Sequence, residues 1–392
     1  RSVSIMNKKH NFYEILGGQQ MDFLDVFKKF GYSYGQQESY RLDHVANTVL
    51  GEKKIDYSEH GNLYTLYKED HQKFIDYNIK DVELVQRMID KTGLMQLAMT
   101  IAYKGGVNYS DSFGTTSIWD SFIYRVLQSE NVACPPKQTK GRTQYPGGYV
   151  KDPVVGAHNW VTSFDLNSLY PNIIIQYNMS PETVMDGIEN ASIESFLAGQ
   201  SDYSGQPYTV APTGIKFRND KQGVIPGIIS QLYSERRVIK KEMLATDQQY
   251  QNDGNEMLQK KIVQLDNQQM AVKILMNSLY GALGNQYFRY FDQRVAESIT
   301  AGGRMSIKWA ERAVNNEMNK LLATNEKDYV IAIDTDSLYI NMNDLVQKFN
   351  PKDPVKFLDK ICADHFEPKV IAPAYDELAR VTNAFEARME MG

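Results

Sequence analysis

Cysteine and long apolar runs are scarce in this chain of 392 residues, and each shortage excludes a class of protein. Its only cysteines, Cys134 and Cys362, cannot build a disulfide framework or a four-ligand zinc site. The longest apolar runs, such as the isoleucines at 173–175, are far too short to span a bilayer. The sequence also shows no signal peptide, internal repeat or low-complexity tract. We therefore expect a soluble globular protein in a reducing compartment.

Charge of one sign is scarce as well. The 43 basic and 48 acidic residues leave a net charge of −5, which argues against a protein that coats nucleic acid with its whole surface. A local basic channel or an acidic metal site remains compatible with this balance. The length suffices for two or three domains. Since the first residue is Arg rather than Met, we expect a piece of a longer protein.

Apolar spacing predicts four helices. Residues 71–94 have apolar side chains at a spacing of about 3.6 residues, and residues 117–127 repeat this pattern. Residues 226–250 and 260–283 read as two longer helices, the first with a proline near its first turn. Because a short glycine-containing connection joins these two, they are expected to form an antiparallel hairpin.

Short β-prone runs and irregular segments occupy other regions of the chain. Residues 160–165 predict a strand, and residues 328–333 and 337–342 predict a hairpin. A stretch rich in proline, glycine and lysine at 135–148 predicts a linker or domain boundary. Residues 190–222, rich in glycine, serine and polar residues, read as loops or a variable insertion.

Three aspartates stand at the ends of these predicted strands. Asp334 and Asp336 flank the hairpin tip, where two close carboxylates repel each other unless a cation neutralises them. An ordinary Asp-containing turn would also explain this pair. Asp165 ends a separate apolar strand, although it could simply cap the turn that follows. Together the three could hold two Mg²⁺ ions, because oxygen-only ligands favour Mg²⁺ over zinc.

Three ordered motifs carry a family resemblance. The sequence SFDLNSLYPNII (163–174) resembles motif A of the family B DNA polymerases. KILMNSLYGALGN (273–285) resembles motif B, and IDTDSLYI (333–340) resembles motif C. The family members of T-even-type bacteriophages resemble the chain most, through the strings YNIKDVELV, QYPGGYVKDP and NMSPETV.

The resemblance implies an α+β fold built from known modules. A palm with an antiparallel sheet would carry the carboxylates, and a helical hairpin would form the fingers. The thumb is expected to be absent, and the start would be the C-terminal part of an RNase H-like α/β 3′–5′ exonuclease domain. Residues 1–100 would form that exonuclease remnant and residues 101–144 a helical connector. The palm would begin with residues 145–225 and resume with residues 285–392, and residues 226–284 between them would be the fingers.

For the chemistry, the resemblance implies template-directed addition of deoxynucleotides to a primer by two-metal phosphoryl transfer. Asp165 and Asp336 would be the principal catalytic carboxylates and Asp334 a supporting one. Asp165, Asp336 and Leu166 would hold two Mg²⁺ ions, which Mn²⁺ could replace. Primer-template DNA and dNTPs would be the partners, with a sliding clamp and a single-strand-binding protein for the longer parent. The implied location is the cytoplasm of an infected bacterium.

A nucleotide pocket is implied by motifs A and B. Lys273, Asn277 and Tyr280 share one helix face, although an ordinary exposed face would show the same spacing. Tyr170 resembles the residue that excludes a ribose 2′-hydroxyl. The expected nucleotide-binding residues are Arg236, Lys240, Lys273, Asn277, Tyr170, Asn167, Ser168 and Leu169, with Tyr280 and Gly281 at the base pair and its minor groove.

Tyr77 and Asp81 resemble the third motif of the proofreading exonuclease. No match to the two earlier motifs precedes them, so we expect no proofreading. The alternatives to a polymerase are a 3′–5′ exonuclease or a DNA- or nucleotide-binding fragment without catalysis.

The sequence departs from the family at two places. Residue 333 is Ile where glycine is usual, and the stretch between Arg236 and Lys273 is shorter than in the T-even-type phage enzymes.

Overall fold

A computed structural model describes residues 2–5, 8–11, 15–138, 141 and 143–392. The chain divides into two compact units. The first unit comprises Arg1–Val126 and Glu235–Leu275, and the second comprises Leu127–Ser234 and Met276–Gly392. Within the described residues, no helix is both long and apolar enough to cross a membrane.

Helices and short antiparallel strands make up both units. The helices are α1 (Phe23–Phe30), α2 (Leu42–Leu50), α3 (Leu63–Glu69), α4 (His71–Thr92), α5 (Leu94–Gly105), α6 (Thr115–Ser129), α7 (Leu169–Gln176), α8 (Ile193–Leu197), α9 (Val224–Asp253), α10 (Glu256–Leu283), α11 (Gln293–Leu322), α12 (Asn343–Phe349), α13 (Pro354–Ile361) and α14 (Ala372–Val381), with a π-helix at Cys362–Ile371. The strands are β1 (Ser2–Ile5), β2 (Lys8–Asn11), β3 (Val150–Lys151), β4 (Val161–Asp165), β5 (Val184–Ile188), β6 (Tyr208–Val210), β7 (Ile215–Arg218), β8 (Val330–Asp334) and β9 (Ser337–Asn341).

The four predicted helices are confirmed with small shifts at their ends. The helix predicted at 71–94 is α4, which ends two residues earlier because Gly93 adopts the left-handed conformation of a C-cap. The apolar spacing predicted the helix correctly, but it did not identify the side chains that are buried. Ile79 and Val82 are exposed, whereas Leu84 and Met88 are buried. The predicted long helices are α9 and α10, and Gly254 between them has φ +61°.

Two antiparallel sheets organise the second unit. The larger has the strand order β3-β8-β9-β4, and the predicted strand and hairpin are its members β4, β8 and β9. The smaller has the order β5-β7-β6, and its strands β6 and β7 together with α8 cover about a third of the segment predicted as loops or an insertion at 190–222. The prediction of loops is confirmed for most of this segment, but it missed these short elements. Two short strands and one turn and a half of helix leave no long periodic pattern in the sequence.

Helix α11 forms the centre of the second unit, and it was not among the predicted helices. It packs against α7 and α14, and Trp309 donates from Nε1 to the carbonyl of Ala374 at 2.8 Å. Glycines in its middle turns allow close approach. A Cβ at Gly302 would lie 3.0 Å from Ile173, and one at Gly303 would lie 3.2 Å from the ring of Tyr170.

Asn178 connects the end of α7 to the start of α9. Its amide nitrogen donates to the carbonyls of Arg218 and Lys221 at 2.8 and 2.9 Å, and its oxygen accepts from the amide of Gly223 at 2.8 Å. The residue is fully buried and has φ +55°, a conformation that asparagine tolerates better than most residues.

Asn178→Ala is expected to lower the free energy of unfolding by about 3 kcal/mol, because three partly or fully buried backbone groups lose their partner. Asn383→Ala is the matched control, since Asn383 has φ +50° and also bonds three backbone groups but is half-buried. That variant should lose about 1 kcal/mol. Urea denaturation followed by circular dichroism measures both, and equal losses would contradict the role of burial.

Candidate active site

The hairpin tip between β8 and β9 brings two carboxylates together. Asp334 ends β8 and is exposed, and Asp336 follows two positions later with its carboxyl group only partly covered. Thr335 between them has φ +56°, so the tip is a tight turn and not a continued strand. For a β-branched residue this left-handed conformation costs about 1–2 kcal/mol. The amide of Thr335 donates to the carbonyl of Tyr149 at 2.9 Å, which contributes to holding the turn.

Asp165 joins the pair through the register of the sheet. Ser337, the first residue of β9, pairs with Asp334 on one side and with Asp165 on the other. Since neighbouring strands lie about 4.8 Å apart, this register places the two aspartates on either side of one residue. The hydroxyl of Ser337 donates to Oδ1 of Asp165, and the amide of Leu166 donates to the carbonyl of Asp336 at 2.8 Å. Ser337 was not among the predicted site residues.

The last residues of the chain pair with the other edge of this strand end. Asp165 and Gly392 exchange two backbone hydrogen bonds, of 2.9 and 3.1 Å. The amide of Asn167 donates to the carbonyl of Glu390 at 3.0 Å. Asn167, Ser168 and Leu169 were predicted to bind the nucleotide, and backbone amides are the groups that could reach its phosphates. The Asn167 amide has a partner in this structure, whereas Ser168 and Leu169 lie at the start of α7, where helix amides lack intrahelical partners. Nucleotide binding by these residues stays a prediction.

Repulsion between the carboxylates is visible in the acid-base properties of Asp336. Partial burial raises the pKa of Asp336 above its ordinary value, and the negative charges of Asp165 and Asp334 raise this pKa further. A bound cation would remove that penalty.

The carboxylate oxygens of Asp165, Asp334 and Asp336 are suitable ligands for Mg²⁺, because this ion prefers hard oxygen ligands. Among the residues that the structure describes, no three acidic, histidine or cysteine side chains converge on one metal position. Asp165, Asp334 and Asp336 thus lie at the same end of the sheet without forming a ready three-ligand site. Mg²⁺ sites commonly take one or two carboxylates from a protein and further oxygens from substrate phosphates and water.

Two tyrosines stack beside the carboxylates. The ring centroids of Tyr170, in α7, and Tyr280, in α10, lie 4.7 Å apart with an angle of 34° between the rings. Burial raises the pKa of Tyr170, and the charge of nearby Asp336 raises it further. Asn277 and Gly281 are exposed on α10, and a Cβ at Gly281 would meet only open space. The predicted face of this helix is therefore accessible to a ligand.

The three predicted phosphate-binding cations lie in the first unit. Arg236 donates from Nε to the buried side chain of Gln269 at 3.2 Å, which ties α9 to α10 there. Lys273 follows Gln269 by one helical turn and is exposed, as is Lys240. A predicted cluster of three cations is compatible with these positions, and its role stays a prediction.

The residues assigned to an exonuclease remnant form a separate cluster in the first unit. Asp81 makes an ion pair of 2.7 Å with Lys54, whose ammonium also lies 4.5 Å from the ring centroid of Tyr77. The other oxygen of Asp81 is buried and has no hydrogen-bond partner among the described residues. An adjacent cleft of about 790 Å³ is lined by Lys54, Tyr77 and Tyr57. Lys54 was missed because nothing local in the sequence connects it to Asp81.

Ile333 departs from the family pattern without disturbing the hairpin tip. Its side chain is 1% exposed and faces the core, whereas the next side chain, Asp334, is exposed. Alternation along β8 thus keeps the extra apolar volume away from the carboxylates.

Comparison with known proteins decides the family. The model for DNA polymerase family B matches residues 114–351, more than half of the chain. The chain belongs to this family. It is 30% identical to the DNA-directed DNA polymerase of Escherichia phage RB69 over 94% of its own length and 46% of that protein. The corresponding protein of Enterobacteria phage T4 is also 30% identical, over 99% of the chain and 48% of that protein.

A more distant relative is DNA polymerase 1 of Pyrococcus abyssi, which is 32% identical over 63% of the chain and 28% of that protein. The chain thus spans about half the length of the two phage relatives.

Asp165→Asn should lower the pKa of Asp336, because it removes one of the neighbouring negative charges. The pKa should stay above its ordinary value, since burial is the larger cause of the shift. Carboxyl carbon NMR of aspartate-labelled protein, titrated without divalent metal, measures this change. Asp364→Asn, at an exposed position of the same unit, is the control and should leave the pKa of Asp336 unchanged. An unchanged pKa in Asp165→Asn would mean that the charge of Asp165 does not contribute to the shift.

Proposed function

We propose that this chain is the core of a DNA-directed DNA polymerase that acts in phage genome replication. It would transfer a deoxynucleotide to a primer 3′-hydroxyl under the direction of a template. The observation that supports this most directly is the meeting of Asp165, Asp334 and Asp336 at the end of one sheet in a chain of this family. The phage relatives are named for the same activity.

The module assignment belongs to this proposal. The sheet β3-β8-β9-β4 would be the palm, and the hairpin of α9 and α10 would be the fingers. Helix α4 with its Tyr77 and Asp81 would belong to the exonuclease remnant. The boundaries predicted from the sequence remain our proposal for where these modules begin and end.

The carboxylates would act by binding metal and orienting the reacting groups. Asp165 and Asp336 would be the main ligands, Asp334 would support them, and Leu166 could contribute only a main-chain oxygen. Two Mg²⁺ ions, or Mn²⁺ in their place, would supply Lewis-acid activation of the primer hydroxyl and neutralise the triphosphate. Ser337 would keep Asp165 in one orientation through its hydrogen bond. The protein's contribution is therefore mainly positioning and electrostatic stabilisation.

The nucleotide would be recognised by charge on its phosphates and by shape at its sugar. Arg236, Lys240 and Lys273 would contact the triphosphate, since Arg offers bidentate geometry and Lys a compact charge. The ring of Tyr170 lies close to Gly303 and to the ring of Tyr280, and these neighbours limit its movement. A ring held in this way can reject a 2′-hydroxyl by contact. Asn277, Tyr280 and Gly281 would line the nascent base pair.

The partners proposed for the chain are primer-template DNA and dNTPs. We also propose a sliding clamp and a single-strand-binding protein as partners in replication, in the cytoplasm of the infected bacterium. The proposal that the chain does not proofread rests on its having only Tyr77 and Asp81 of the exonuclease pattern. Here Asp81 is neutralised by Lys54. Unchanged release of nucleotides from single-stranded DNA by Asp81→Ala would support it.

Asp336→Asn should abolish primer extension, with a loss of about three orders of magnitude or more, because a metal ligand and its charge are removed. Extension of a labelled primer with dNTPs and Mg²⁺ at low salt measures the effect. Asp364→Asn, an exposed carboxylate of the same unit, is the matched control and should extend normally. Equal extension by the two variants would contradict the proposal. DNA binding without extension by the unmodified chain would favour the non-catalytic fragment.

Tyr170→Ala should raise incorporation of rNTPs relative to dNTPs by about 10²-fold, because the ring no longer contacts a 2′-hydroxyl. Single-nucleotide incorporation with matched dNTP and rNTP gives the ratio of the two kcat/KM values. Tyr290→Ala removes a buried tyrosine elsewhere in the same unit and serves as a control for the loss of aromatic volume. Unchanged selectivity in Tyr170→Ala would refute this assignment.

A further inference from the structure

The turn that holds Asp334 and Asp336 has a neighbour on its open side. Residues 146–149 run past the tip of the β8–β9 hairpin, immediately before β3. The carbonyl of Tyr149 accepts from the amide of Thr335 at 2.9 Å, and Val150 then pairs with Asp334. The left-handed Thr335 is thus fixed by a segment far away in the sequence.

Contact between this segment and the turn is very close at one position. A Cβ placed on Gly148 would lie 2.9 Å from both Cγ2 and Oγ1 of Thr335 and 3.4 Å from its Cβ. Side chains do not approach a Cβ so closely without movement. A Cβ on the neighbouring Gly147 would meet nothing within 4 Å. The space around a Cβ therefore differs between the two glycines by the presence of Thr335.

Helix α11 holds the segment from behind. Arg304 donates from Nη1 to the carbonyl of Pro146 at 2.7 Å and to that of Gly147 at 2.9 Å. One turn later, the ammonium of Lys308 lies 4.7 Å from the ring centroid of Tyr149. Because α11 is the buried centre of this unit, the segment cannot easily withdraw from the turn.

We propose that residues 146–149 are a positioning segment for the catalytic hairpin. Held by Arg304, the segment keeps Thr335 in its left-handed conformation and so fixes the directions of Asp334 and Asp336. Gly148 is required because only a residue without a Cβ lets the segment reach the turn. This inference rests on the proposed polymerase function, and it assigns Gly148 and Tyr149 a role through Thr335 and not through contact with substrate.

The test compares Gly148→Ala with Gly147→Ala, which adds the same methyl group to open space. Gly148→Ala should lower kcat for single-nucleotide addition by about tenfold or more, because small displacements of reacting groups are costly. Its KM for dNTP and its midpoint of thermal unfolding should change little. Gly147→Ala should resemble the unmodified chain in all three measurements. Equal kcat values for the two variants would overturn the inference.

A second arm separates contact with Thr335 from contact with DNA. Thr335→Gly removes all three atoms that a Cβ on Gly148 would meet and tolerates the left-handed turn. In a Thr335→Gly background, adding Gly148→Ala should therefore cost less than about twofold in kcat. If the loss remains tenfold in that background, Gly148 acts through DNA or another group and the inference is wrong.

A third readout does not depend on activity. Mn²⁺ binding can be followed by electron paramagnetic resonance without DNA. The affinity should fall severalfold in Gly148→Ala and stay unchanged in Gly147→Ala. The double variant Thr335→Gly/Gly148→Ala should bind Mn²⁺ as tightly as Thr335→Gly alone. Mn²⁺ affinity that is the same in Gly148→Ala and Gly147→Ala would count against the inference. If the unmodified chain fails to extend a primer, the proposed function itself fails, whereas extension with no difference between the alanine variants defeats only this inference.

Discussion

Mutual repulsion among three carboxylates at the end of one sheet is the constraint around which the second unit is built. The register that pairs Ser337 with both Asp165 and Asp334 sets how closely the charges approach, because strand spacing is fixed at about 4.8 Å. Without a cation the charged form of Asp336 is disfavoured, because burial and, to a smaller extent, the charges of Asp165 and Asp334 raise its pKa. The free energy that holds the carboxylates together must therefore come from the rest of the fold.

Alternation along the strands supplies much of this free energy, because it buries apolar side chains on the other face of the sheet. Ile333 and Leu338 are buried on the face opposite the carboxylates, with exposures of 1% and 0%. A slip of one residue would expose both and would move the aspartates into the core, so the register is strongly determined. Asp165 is further fixed on both edges, by Ser337 in β9 and by two backbone hydrogen bonds with Gly392. The acidic face is thus stabilised by an apolar face that is buried in the core.

The sequence alone predicted those features of the fold that depend on local pattern. The hairpin at Asp334 and Asp336 was predicted because apolar runs flank it. Helices α9 and α10 were predicted because apolar residues recur at helical spacing over long segments. Features set by distant partners were not predictable. The left-handed Thr335 depends on Tyr149, and the ion pair of Asp81 depends on a lysine in an earlier loop. Neither contact leaves a periodic pattern in the sequence, since each joins only one residue from each of two distant segments.

One turn of α11 serves two regions of the candidate site. Gly303 lies against the ring of Tyr170, and Arg304, the next residue, bonds the carbonyls of Pro146 and Gly147. Glycine inside a helix costs about 0.5–1 kcal/mol relative to alanine, so its presence here needs a compensating benefit. Close approach of the tyrosine ring offers one, because a Cβ at Gly303 would displace that ring by a few tenths of an ångström. Tyr170 and the segment that bonds the hairpin of Asp334 and Asp336 therefore take their positions from the same buried helix, and movement of that helix would alter both together.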